Sequence, residues 1–111
     1  IGLELAQSIY SIVLDNKATG HTKNFNAEIA SVAKKDLKAG QKLDGEGGYC
    51  ARGRLISSKR SKQERILPMG YTDNAVLKKD IMKDKFISLD DVELNLPNEI
   101  IEAREYQNNL I

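Results

Sequence analysis

Ser31-Val32-Ala33-Lys34-Lys35-Asp36-Leu37-Lys38-Ala39-Gly40-Gln41-Lys42-Leu43 aligns without gaps on Ala75-Val76-Leu77-Lys78-Lys79-Asp80-Ile81-Met82-Lys83-Asp84-Lys85-Phe86-Ile87. Val, Lys, Lys and Asp coincide in both copies; Leu37 matches Ile81 and Leu43 matches Ile87. Each copy reads as a strand, a tight turn and a return strand. The Asp after the strand can accept hydrogen bonds from turn amides. The Leu or Ile beside it plugs the turn into the core. Gly40 suits a positive-φ turn position, and Asp84 can occupy one at some cost. Two such units in a short chain point to a compact pseudo-symmetric β module, since a solenoid needs at least three repeats.

Working outward, Leu5, Ile9, Ile12 and Val13 fall at helical spacing between Leu3 and Leu14, which predicts an amphipathic helix. Asn16 to Asn26 is polar, contains Gly20 and reads as a linker. Strands are expected at Glu28–Lys34, Tyr49–Ile56 and Asn74–Lys78, with short extended pieces at Gln41–Leu43 and Phe86–Leu89. Ser57–Arg65 reads as a charged loop or short helical turn, and Asp90–Leu94 as a turn entering a strand end. Pro97 opens a final helix, with Ile100, Ile101, Ala103, Tyr106 and Leu110 as its apolar side. The expected architecture is mainly β with flanking helices, an α+β fold.

The 111 residues suffice for one domain. Apolar residues at 41% and charged residues at 30% give a globular composition, and with no Trp the core must rest on Ile, Leu and Val. Seventeen Lys+Arg against 16 Asp+Glu leave no strong global field for nucleic acid or an anionic membrane. The single Cys50 excludes an internal disulfide, and with the single His21 it cannot supply a Cys/His zinc site. No apolar run approaches the roughly 20 residues of a membrane span, and no basic n-region or A-x-A site marks a signal peptide. A cytoplasmic location is therefore expected. Ile in place of Met at the first position reads as a piece of a longer chain or a trimmed product.

The repeat, with its pattern strand–Asp–Leu/Ile–x–x–Gly–x–x–Leu/Ile and a second copy running on to Asp90-Asp91-Val92, resembles the SAF family of β-clip domains. That family includes antifreeze-like modules, the C-terminal domain of sialic acid synthases, the small domain of altronate-type dehydratases and flagellar P-ring assembly chaperones. Ala33 to Gly40 running into Leu43-Asp44-Gly45-Glu46-Gly47-Gly48-Tyr49, then Gly53-Arg54-Leu55-Ile56 and Leu67-Pro68-Met69-Gly70, is similar to the C-terminal part of homoserine-dehydrogenase-like NAD(P)-dependent oxidoreductases. Gly2-Leu3-Glu4-Leu5 and Lys17-Ala18-Thr19-Gly20 look like the segment joining the catalytic and SAF parts there. The resemblance implies a SAF-like β-clip over 27–94, preceded by a helix and linker (1–26) and followed by a C-terminal helix (95–111). It further implies a non-catalytic domain for assembly or for covering an active site. The partner would be an upstream catalytic domain of the same polypeptide, with NAD(P) held there and no cofactor in this chain. The alternatives are a stand-alone sugar-acid or glycan-binding module, or an assembly chaperone resembling the flagellar type. The two helices carry more apolar surface than a small β module covers, so a homo-oligomer is a further expectation.

Asp44, Gly45, Glu46, Gly47, Gly48 and Tyr49 form the candidate ligand site. Consecutive glycine amides can make a concave nest for a phosphate or carboxylate. The plainer reading is a wide turn whose glycines avoid steric clash. It is not a dinucleotide fingerprint, because the G-x-G-x-x-G spacing is absent. Arg52, Arg54, Lys59, Arg60, Lys62 and Arg65 make a basic run without stacking aromatics, which favours a solvated face or a contact with the catalytic domain over nucleic acid. Asp36 and Asp80 read as turn caps rather than an acid–base pair. His21 is expected in an exposed linker, Cys50 as a packed thiol rather than a nucleophile, and Tyr49 as a packing residue. No catalytic residue and no metal ligand is assigned.

Overall fold

A computed structural model describes residues 2–20 and 23–110. Its centre is the contact between the two repeat copies. Leu37 and Ile81 form a bridge in which the Leu37 amide donates to the Ile81 carbonyl (2.7 Å) and the Ile81 amide to the Leu37 carbonyl (2.9 Å). The remaining turn bonds come in matched pairs. Gly40 N–H donates to Leu77 O (2.7 Å) as Asp84 N–H does to Ala33 O (2.9 Å); Leu77 N–H donates to Gln41 O (2.9 Å) as Ala33 N–H does to Lys85 O (3.0 Å). Each turn is thus completed by the strand of the other copy. Gly40 (φ 86°) and Asp84 (φ 70°) occupy the same left-handed position, as the sequence predicts. Leu37, Leu43, Ile81 and Ile87 are all buried.

Around this centre lie three α-helices and two small antiparallel sheets among the described residues, an α+β arrangement. In order they are α1 (Gly2–Asp15), β1 (Ala27–Ala33), β2 (Lys42–Asp44), β3 (Ala51–Ser57), α2 (Ser58–Gln63), β4 (Asp73–Leu77), β5 (Val92–Glu93) and α3 (Asn98–Asn108), with 3-10 turns at Met69–Tyr71 and Leu89–Asp91. β1 pairs with β3, with Ala27 opposite Ser57 and Ala33 opposite Ala51, while β4 lies between β2 and β5. β1 is also bridged on its other side, Ala30 to Pro68 and Val32 to Phe86.

The main core gathers Leu37, Leu43, Leu67, Leu77, Ile81, Ile87 and Val92. Aliphatic burial of this kind contributes about 1.5–3 kcal/mol per large side chain. A smaller cluster, Ala30, Ile56 and Ile66 with Phe86, lies on the other face of β1. α2 begins where the Ser57 hydroxyl accepts the Arg60 amide (3.1 Å), and Ser58 Oγ donates to the Phe25 carbonyl (2.7 Å). The charged 57–65 segment is thereby a capped helical turn.

Both terminal helices leave apolar residues exposed. On α1, Leu5, Ile9, Ile12 and Val13 are 51–71% exposed, so the helix stands clear of the β body. α3 departs from the expected orientation: Ile100, Tyr106 and Leu110 face solvent. The half-buried residues are instead Ile101, Arg104 and Asn108. The reason is polar. Arg104 donates to the Glu28 carboxylate on β1, its Nε donates to Asn108 Oδ1 (2.9 Å), and its guanidinium lies over the Phe25 ring (4.8 Å).

Candidate functional site

The glycine-rich loop joins β2 to β3 and so runs from strand to strand, not from strand to helix. Gly45 (φ 77°) and Gly47 (φ 72°) take left-handed conformations that L side chains rarely adopt. The loop folds around its own carboxylate. Asp44 Oδ2 accepts the Tyr49 amide (2.7 Å) and Oδ1 accepts the Cys50 amide (3.1 Å). A Cβ on Gly48 would fall on that carboxylate. The Gly48 amide bonds Gly45 O (3.3 Å), and Lys34 Nζ donates to Gly48 O (2.6 Å). Hydrogen bonds from Tyr49 and Cys50 hold the Asp44 carboxyl below its ordinary range.

Asp44 therefore occupies amides that an external anion would need. Asp44, Gly45 and Glu46 line a shallow depression of about 400 Å³ with Met69, Gly70, Thr72 and Asp73. Gly47, Gly48 and Tyr49 lie off it. Tyr49 corrects the packing expectation: with its amide tied to Asp44, its side chain projects outward and is 81% exposed.

The structure disperses the other candidates. Asp36 and Asp80 sit at opposite turns, where Asp36 Oδ1 accepts the Lys83 amide and Asp80 Oδ1 the Ala39 amide, both at 2.8 Å. Most of the basic run is taken up internally: Arg52 pairs with Asp84 (3.4 Å), Arg60 with Glu64 (3.2 Å), Arg65 with Asp90 (3.2 Å), and Lys62 Nζ donates to Asn108 O (3.0 Å). Cys50 is buried, and that burial, reinforced by Asp44, pushes its thiol pKa up. His21 lies outside the described residues. Among the described residues no group of three or more His, Cys, Asp or Glu could hold a metal ion, and no helix is long and apolar enough to cross a membrane.

Sequence reasoning misses a cleft that the fold builds. It lies beneath α3, measures about 480 Å³, and has Ile66, Pro68 and Leu89 as its apolar floor. A second hollow of about 400 Å³ continues it, sharing Arg65, Tyr71, Leu89, Arg104, Glu105 and Asn108. Tyr71 is only 8% exposed, and among the described residues its hydroxyl takes no hydrogen-bond partner. No fully buried side-chain polar atom is left unpaired, so this hydroxyl opens into the cleft. Burial raises the Tyr71 pKa. The cleft needs Arg104 to bring α3 against the body, and no residue spacing announces that. Compared with known proteins, the chain matches no family model and no curated protein.

Proposed function

We propose that this chain is a SAF-like β-clip module that works, without catalytic residues of its own, against a second protein body. The fullest form of this reading is the one the sequence resemblance implies. The module is the C-terminal domain of a cytoplasmic NAD(P)-dependent oxidoreductase similar to homoserine dehydrogenase, where it serves assembly or covers the active site. NAD(P) then belongs to the catalytic domain, and a second copy of the module is a further partner. The observation that carries the reading is α1. Its apolar stripe, Leu5, Ile9, Ile12 and Val13, is more than half exposed, and a 14-residue helix is marginal in water on its own. Such a helix needs another surface to lie on. The mutually completed turns support the β-clip part.

An immunoblot of the natural source with antibody against this chain tests it. The expected band is far longer than 111 residues and copurifies with NAD(P)-dependent dehydrogenase activity. A natural product no longer than this chain overturns the oxidoreductase reading.

A second reading has its own observation, the open hydroxyl of Tyr71 beside Arg65 and Arg104 in the cleft beneath α3. A few convergent polar groups over an apolar floor are the usual make-up of a small-molecule site. The module would then bind a sugar acid. Calorimetry with a panel of sugar acids, sialic acid included, should give heat that Tyr71→Phe abolishes; no heat with any member removes this reading.

A further inference from the structure

β3 has a free edge. The Lys34 amide donates to Cys50 O and the Ser58 amide to Asn26 O, both at 2.9 Å, so the even-numbered residues of β3 turn their peptide groups toward β1. The same alternation governs β1, whose Ser31 and Ala33 amides point the other way, to Leu67 O and Lys85 O (both 3.0 Å). Gly53 and Leu55 therefore present N–H and C=O groups outward; both residues are exposed, and no backbone hydrogen bond among the described residues reaches these groups. Natural sheets blunt such an edge with charged side chains, proline, a bulge or a covering element, because it invites another strand; here the only such device among the described residues is a pair of arginines of one sign, Arg52 and Arg54.

The edge has two chemically distinct faces. On one, Leu55 (68% exposed) lies opposite Ile29 (44% exposed). On the other, Arg54 and Arg52 stand on alternate positions, Arg52 also holding the exposed Asp84 (3.4 Å), and β3 contains no acidic residue. Arg54 rests over Phe86 at 5.6 Å, without a carboxylate partner among the described residues. A second copy of this chain suits the edge poorly: antiparallel pairing with Gly53 opposite Gly53 or Leu55 sets arginine against arginine.

We propose that the outer edge of β3 takes an extended acidic peptide segment as an added antiparallel strand. The partner alternates apolar and acidic residues. Its main chain pairs with Gly53 and Leu55, its apolar side chains lie on Leu55 and Ile29, and its carboxylates face Arg52 and Arg54.

Amide exchange measured by NMR on the 111-residue chain tests this, with an alternating Val/Glu heptapeptide as probe and its Val/Lys counterpart as control. The Val/Glu peptide should slow exchange at Gly53 and Leu55 about tenfold or more, while the inward-facing Arg52 and Arg54 amides change little. The Val/Lys peptide should have no effect. The surface double variant Arg52→Glu/Arg54→Glu should reverse the preference while leaving the circular dichroism spectrum unchanged. Unaltered exchange at Gly53 and Leu55 with millimolar Val/Glu peptide, or equal protection by both peptides, overturns the proposal. So does protection of those two amides in the concentrated chain alone, which would assign the edge to a second copy.

Discussion

Asp36 and Asp80, matched in sequence, cap each other's turns rather than their own. The Asp36 carboxylate receives the amide of Lys83, and the Asp80 carboxylate receives that of Ala39, at the same 2.8 Å. Both side chains are exposed, so each bond is worth about 1 kcal/mol. Asp36→Ala and Asp80→Ala should lower urea stability by similar amounts. The double variant should depart from the sum of the two, because the turns touch through Leu37 and Ile81. Independent, additive losses would show that the two caps act separately.

The glycine loop makes a sharper prediction. Gly48→Ala places a methyl group on the Asp44 carboxylate and should cost about 1–3 kcal/mol. In an Asp44→Ala background the same substitution should cost markedly less. A double-mutant cycle by chemical denaturation reads the difference, and equal costs in both backgrounds would show that the carboxylate is not what excludes the side chain.

Asp44 also sets a pH dependence. A carboxyl held below its unfolded value stabilises the fold in its ionised form. That contribution is complete above about pH 4 and drains away as pH falls through the lower folded value. The protection of the Tyr49 and Cys50 amides, taken relative to their intrinsic exchange at each pH, should therefore fall at acid pH, and Asp44→Asn should flatten the profile. A profile that is the same in wild type and variant would place the titration elsewhere.

Cys50 should react slowly. Its burial and the neighbouring Asp44 disfavour the thiolate, so alkylation by iodoacetamide in the native chain should lag far behind a free thiol at neutral pH. Urea should restore the ordinary rate. Rapid native labelling would mean that the 44–50 loop opens readily.

Arg104→Ala should release α3. The half-buried contact with Glu28 is a charged hydrogen bond, worth about 1.5–3 kcal/mol, and the stack on Phe25 is lost with it. Amide exchange should accelerate across Asn98–Asn108 and leave Leu37 and Ile81 protected. If α3 stays protected, its docking rests on Ile101 instead.

Much of the β architecture was legible because its signal is local. A strand, a polar turn, a glycine and an aliphatic plug recur in order, and Asp84 at φ 70° does the work of Gly40. Which amides the two aspartates reach was not legible, since the partner of each lies in the other copy. α3 misled for a related reason. Its Ile100, Tyr106 and Leu110 suggest an apolar face, but Glu28 and Phe25, far upstream, fix the docking face through Arg104. In the candidate site, the left-handed turn at Gly45 and Gly47 was legible from the glycines themselves, while the part played by Asp44 needed the loop closed. Tyr71 carried no motif; only the placement of α3 over it makes a cleft.

The reciprocal turns also bear on how the chain reaches this state. A first copy alone would leave the Leu37 amide, the Gly40 amide and the Asp36 carboxylate facing water, each awaiting a group from residues 77–83. Most of the gain thus arrives only when two segments distant in sequence meet, after the intervening chain has been ordered. Folding should show a single slow encounter rather than a stable half, and a truncation ending before Ala75 should yield a chain with no cooperative unfolding transition. A duplicated turn, built to be finished by its twin, ties the two halves into one event in time.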